Sequence, residues 1–171
     1  ISGMSYGALS ANAKTALGKG AALAGTASCT GDGGMLQAER DAADNLIYQV
    51  LPSRYGFDPN HLVQAQAVEI VVGQGAKPGT GGMLMGVKVR DEIAEMRDLP
   101  AGIDQRSPAR HPDWLGPDDL AIKIEQLREA TDWKVPIHVK LGACRVKDDV
   151  KLAAKAGADA IVIDSMVAGT G

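Results

Sequence analysis

The sequence predicts an α/β protein of the (β/α)₈ barrel (TIM barrel) type, and three observations carry that expectation. Short apolar stretches alternate with segments of helical periodicity, the signature of βαβ units around a parallel sheet. Each apolar stretch ends in glycine and polar residues, and a barrel builds its active site on the loops that follow its strands. Six strand candidates can be counted, so the chain covers about strands 1 to 6, an incomplete barrel. An open doubly wound sheet is the runner-up.

Each element follows from local patterning. Ile1 to Met4 reads as the exit of a strand. A helix begins with Ser10 as N-cap, places Ala13, Leu17, Ala21 and Ala24 on one face, and closes at Gly25. "TASCT" is a short strand, followed by the loop "GDGGM", Gly31 to Met35. "LQAERDAADNLIYQVL" is helical in its first part, and "YQVLPSRYGF" is a strand entering a turn. Asp58-Pro59 starts a short helix, and "VEIVVGQG" is a strand. "VKVRDEIAEMRDL" sets Val89, Ile93 and Met96 on one helical face, and Pro100 to Asp119 is a long loop, of a length usually tied to function or disorder. The last third is the clearest. "DLAIKIEQLREATD" is a helix with Leu120, Ile124 and Leu127 on its apolar side. "VPIHVKLGA" is a strand, "VKDDVKLAAKAGAD" a helix and "AIVIDSM" a strand.

Composition narrows the classes. Hydrophobic residues at 45% and charged ones at 23% describe a globular chain. A net charge of -3 with no basic stripe argues against nucleic acid. No apolar run approaches the roughly 20 residues of a membrane span, and no signal peptide is visible, so a cytoplasmic location is expected. Cys29 and Cys144 stand far apart with no metal or disulfide spacing, which leaves two free thiols. The chain starts at Ile1 without a Met and stops within "SMVAGTG", so it is expected to be a fragment.

Chemistry concentrates at two places. In "IHVKL", alternation turns Ile137, Val139 and Leu141 to the outer helices and His138 and Lys140 into the barrel. A buried lysine is costly unless paired or functional; Lys140, nearest the strand end, is the ligand candidate, and His138 reads as a hydrogen-bonded core residue. Asp164 ends the next strand and could pair with Lys140, in a structural ion pair or a functional one. Ser165 to Gly171 could form an anion-binding nest. The second place is "VVGQGAKPGTGG", which places Gln74 and Lys77 among Gly73, Gly75, Gly79, Gly81 and Gly82. Such a loop either turns a corner or lets the backbone close on a ligand.

Taken in order, "GMSYGALS", "TGDGG", "QVLPSRYGF", "GQGAKPGTGG", "SPARHPDWLGPDDLAIKIEQL", "VKLG" and "GADAIVID…GTG" resemble the FMN-binding synthase domain of glutamate synthase large subunits. The resemblance covers essentially the whole chain, residues 1–171 read as one partial domain, and is greatest to short, stand-alone members such as the N-methylglutamate synthase (methylamine–glutamate N-methyltransferase) subunit. It implies a (β/α)₈ barrel with FMN at the strand C-terminal ends, held by Met4, Ser5, Gly7 and Ala8 and by Lys140 near the flavin ring. It implies that Gln74, Lys77 and Arg97 bind the substrate, with Lys77 and Lys140 the catalytic cations. Two departures stand out. The family's "TGEGG" region reads Cys29, Thr30, Gly31, Asp32 here, and its "SGxDGGTG" reads "DSMVAGTG", with Asp164 and Ala168 in place of smaller residues.

The resemblance implies an oxidoreductase of glutamate biosynthesis. An amine, ammonia or methylamine, condenses with 2-oxoglutarate, and the imine is reduced by flavin to glutamate or N-methylglutamate. The amine would come from a glutaminase-like domain or subunit in an oligomer, and in the N-methylglutamate variant glutamate is the amino acid consumed. The family's iron–sulphur cysteines lie outside this chain, so a cluster would belong only to the full-length protein. Two alternatives stay open: a non-catalytic truncated barrel that acts as an assembly scaffold, and another FMN barrel oxidoreductase.

Overall fold

In the computed structural model, which describes residues 1–77 and 81–168, five strands form one parallel sheet. They are β1 (Ala27–Cys29), β2 (Asn45–Val50), β3 (Ala67–Val71), β6 (Ile137–Gly142) and β7 (Ala160–Asp164), and they lie side by side in that order. Between β3 and β6 in sequence, β4 (Met83–Leu84) and β5 (Gln105–Arg106) pair antiparallel as a separate ribbon. The parallel strands follow chain order without a reversal. A doubly wound sheet would change direction at a switch point. The order therefore matches the wall of a singly wound barrel.

The helices are α1 (Ala11–Leu23), α2 (Gln37–Ala42), α3 (Pro59–Leu62), α4 (Asp91–Arg97), α5 (Pro117–Ala130) and α6 (Val146–Lys155). Ser10 caps α1, its Oγ accepting from the Ala13 amide at 3.2 Å, and Asp58 caps α3 in the same way at the Asn60 amide. The apolar core lies between sheet and helices. Tyr48, Val68, Ile70, Ile137, Val139 and Leu141 meet Leu120, Ile124 and Leu127 of α5 and Ala153 of α6. Period-2 alternation then turns Gln49, Glu69, His138 and Lys140 to the other side of the sheet. Register places Gln49, Glu69 and His138 in one row across β2, β3 and β6, and Lys140 beside Val71 in the row above.

Several expectations are corrected. Ile1 to Met4 makes no strand; the Ile1 ammonium instead donates to the Ala27 carbonyl at 2.6 Å. The buried face of α1 is Lys14, Gly18 and Ala21 rather than Ala13, Leu17, Ala21 and Ala24, because Lys14 finds a complete set of acceptors inside. The segment from Leu36 follows its expected course, with a helix that stops at Ala42 and a strand, β2, that begins at Asn45, ends at Val50 and enters the turn before Phe57. The helical reading of Val87 to Leu99 splits into a 3₁₀ turn, Gly86–Lys88, and α4, with Val89, Ala94 and Arg97 buried rather than Val89, Ile93 and Met96. The long loop from Pro100 contains β5, and α5 opens within it at Pro117, a proline at the first helical turn where its missing N–H costs nothing. Among the described residues no helix is long and apolar enough to cross a membrane.

Candidate active site

A cavity of about 540 Å³ opens at the C-terminal ends of the parallel strands. Its wall is built from the exits of β2, β3, β6 and β7, the β4–β5 ribbon and the N-terminal segment. Met4, Ser5, Ala8, Gln74, Lys77, Arg97 and Lys140 all line it. Gly7 is not among the described lining residues. It packs behind the wall, with Arg97 and the side chains of Leu84 and Ile93 around it.

Lys140 is 7% exposed, and its Nζ lies 3.5 Å from Asp164 Oδ1. The second oxygen of Asp164 accepts the Gly75 amide at 2.9 Å. The carboxylate thus ties the end of β7 to the end of β6 and to the glycine-rich loop after β3. That places Asp164 in an ion pair with Lys140 on the cavity wall. Gly75 and Gly81 are glycines for a local reason. A Cβ at Gly75 would stand 2.2 Å from the Ser165 carbonyl carbon, and one at Gly81 would stand 1.9 Å from Ser107 O. Gly75 and Gly81 therefore admit neighbouring backbone. Gly79 and Gly169 to Gly171, and with the latter the last three residues of the expected nest from Ser165, fall outside the described residues.

Arg97, the last residue of α4, is 4% exposed. Its Nη1 donates to Gln105 Oε1 at 3.1 Å, and its Nη2 donates to Tyr6 O at 3.0 Å and to Asp32 O at 3.5 Å. Burial pushes its pKa down, and these oxygens offset the desolvation. Arg97 thereby joins the N-terminal segment, the loop after β1 and the β4–β5 ribbon. Gly33 leaves room for it, since a Cβ there would lie 2.6 Å from Arg97 Nε.

Residues that sequence reasoning missed complete the frame. Lys14, 2% exposed, pairs with Glu39 at 2.8 Å and donates to the carbonyls of Met4 at 2.8 Å and Thr30 at 2.7 Å. It fastens the Met4–Ser5 strip to the exit of β1. Burial raises the pKa of Glu39, against the pull of Lys14. Gln49 Nε2 donates to the buried Glu69 carboxylate at 2.6 Å on the cavity floor. The Asp32 carboxylate accepts Ser53 Oγ at 2.6 Å and Ser107 Oγ at 3.1 Å. A spacing rule finds none of these, because their partners are between 10 and 75 residues away. Cys29 is buried beside Glu69, and burial followed by that charge pushes its thiol up to about 12; Cys144 is exposed. Among the described residues no group of three or more His, Cys, Asp or Glu side chains could hold a metal ion.

A parallel sheet in chain order, with a cavity lined by Lys77, Arg97 and Lys140 at its strand ends, defines a barrel wall of the (β/α)₈ class. Solved structures agree on the fold. Lactate oxidase of Pediococcus acidilactici superposes with a TM-score of 0.55 at 14% identity, over 94% of this chain and 45% of that one. A mandelate oxidase variant with a C4a-OH-FMN adduct superposes with a TM-score of 0.50 at 19% identity, over 94% and 46%. The sequence is more specific. The family model described as the conserved region in glutamate synthase matches residues 1–171, and the chain belongs to that family. It is 61% identical over 170 residues to a glutamate synthase large subunit-like protein of Rhizobium meliloti, covering 99% of this chain and 38% of that protein. It is 44% identical over 172 residues to the archaeal glutamate synthase [NADPH] of Methanocaldococcus jannaschii, covering 100% and 34%. The chain thus spans about a third of the length of these curated relatives.

Proposed function

We propose that this chain forms the FMN-binding, substrate-reducing part of a glutamate synthase-type oxidoreductase that makes glutamate, or N-methylglutamate, from 2-oxoglutarate and an amine. The observation that carries the reading is the convergence of Lys77, Arg97 and Lys140 on one cavity at the strand ends of a family member. The reaction needs a site that holds two carboxylates and tolerates negative charge on a reduced cofactor.

The residues present fit an FMN ring. Met4, Ser5 and Ala8 run along one wall, fixed by Lys14, and the buried Lys140 ammonium supplies a cation whose partner, Asp164, sits at the long distance of 3.5 Å. When bound, FMN would supply the hydride that reduces the imine. Lys77 and Gln74 would orient the 2-oxoglutarate carboxylates, as charge-assisted donors do. Arg97 would add its charge to the wall while its terminal nitrogens stay engaged with protein. Condensation of the amine with the 2-oxo carbon would form the imine and release one water.

The test is made on the intact protein. A flavin absorption spectrum and 2-oxoglutarate-dependent turnover with ammonia or methylamine are expected. Lys77→Ala should weaken 2-oxoglutarate binding by roughly ten- to a hundredfold, the value of one charge-assisted bond, and leave the flavin content unchanged. A variant that kept its substrate affinity and lost its flavin would refute the assignment.

A further inference from the structure

Gln105 is the buried polar side chain of the cavity that no role has yet absorbed. It lies on β5, opposite Leu84 of β4, is 4% exposed and lines the cavity. Arg97 fixes how its amide is turned. A guanidinium only donates, so the atom facing Nη1 at 3.1 Å is the carbonyl Oε1. The Nε2 amine is left buried with no hydrogen-bond partner among the described residues. Buried donors are almost always satisfied, and one left bare costs a desolvation penalty of about 1–3 kcal/mol. The Nε of Arg97 is likewise buried without a partner among the described residues. Arg97 Nε lies against Gly33, behind the wall, so the unsatisfied donor on a cavity-lining side chain that calls for an acceptor from outside is Gln105 Nε2.

We infer that Gln105 is a specificity-determining residue whose Nε2 donates to a carboxylate oxygen of the bound substrate, with Arg97 positioning it through Oε1. The unsatisfied nitrogen calls for a hydrogen-bond acceptor, and the reading of the cavity as a 2-oxoglutarate site makes that acceptor a carboxylate. The ribbon explains why so short a pairing is kept. Two residues on each side are enough to hold the Gln105 backbone over the cavity. The inference rests on the reading of the cavity as a 2-oxoglutarate site.

The experiment titrates 2-oxoglutarate into the intact, FMN-loaded protein, read by calorimetry and by perturbation of flavin absorbance. Gln105→Met removes the donor and fills the volume. Gln105→Glu keeps an acceptor for Arg97 but sets a second carboxylate oxygen where the donor stood. Gln105→Met should bind 2-oxoglutarate about tenfold more weakly or worse, and Gln105→Glu should bind still more weakly through like-charge repulsion. Flavin content should stay at the wild-type level in both. If Gln105→Met fails to fold, Gln105→Glu, which preserves the Arg97 contact, carries the test. Binding within twofold of wild type in the folded variants would overturn the inference and leave the proposed function standing. Loss of flavin in step with loss of 2-oxoglutarate would make Gln105 a scaffold residue instead. A wild-type protein that binds FMN but no 2-oxoglutarate would overturn both.

Discussion

His111 shows at the scale of one residue how this chain joins its loops to its sheet. Its Nε2 lies 2.7 Å from the Val71 carbonyl, and the ring packs on Trp114 with centroids 4.7 Å apart. A carbonyl only accepts, so Nε2 carries the proton and donates; Nδ1 is buried without a partner among the described residues. Burial pushes the pKa down to about 4, opposed by the Val71 bond, while Arg54, Asp113 and Lys123 act from nearby. The unfolded ring takes up its proton near pH 6.5, about the ordinary value, and the folded ring does so only near 4. Between those values the unfolded state binds more protons, so stability present above about pH 6.5 is lost as pH falls toward 4, on the order of 3 kcal/mol. Urea unfolding at pH 7 and pH 5 should show this loss, and His111→Gln should shrink the pH 7 to pH 5 difference. An unchanged difference would mean that other groups carry it. Asp113 is the likely-looking rival by position but not by pH: burial alone would raise it, yet Lys123 and Arg54 draw it down to about 2, below that window. What the sequence disclosed at this scale were cations with local context. Lys140 stood out by strand alternation and Lys77 by its glycine-rich surroundings. Lys14, Gln49, Gln105 and His111 did not, because each is defined by partners brought close only by folding.

At the scale of elements, the long periodic segments were legible and the short ones were not. Helix α5 appears where Leu120, Ile124 and Leu127 put it, and β6 turns Ile137, Val139 and Leu141 to the helices as alternation requires. The β4–β5 ribbon has two residues per strand, too few for any period to show. The loop after β3 is the element-level feature with the sharpest consequence. Gly75 rests against Ser165, and its amide holds Asp164, which in turn holds Lys140. Gly75→Ala would force the loop off the exit of β7, a strain of about 1–3 kcal/mol by comparison with overpacked cores, and would lengthen the Gly75–Asp164 bond. The expected outcome is a lower melting temperature together with weaker substrate binding, measured by thermal unfolding and calorimetry on the same sample. Substrate affinity at the wild-type level would show that this loop–loop contact does not position the cavity.

At the scale of the whole molecule, the sheet formed by these residues has two open edges. Among the described residues, β1 pairs only with β2, and β7 only with β6. Unpaired edges offer backbone donors and acceptors to any other strand. On the helix-facing side of β7, Ile163 is exposed, whereas Ile161 packs against the core. A closed barrel has neither feature, since closure pairs every edge and a ring of helices covers every strand. Barrels of this class also commonly bind a phosphate through the loops after strands seven and eight, and the described sheet has five parallel strands. These 171 residues made alone should therefore self-associate and bind FMN weakly, although Met4, Ser5, Ala8 and Lys140, the residues proposed to face the ring, all line the cavity. Light scattering after size exclusion, with an FMN titration followed by fluorescence quenching, measures both. A monodisperse monomer that binds FMN at micromolar concentration would show that the edges are protected in some other way and that the phosphate needs no further strands.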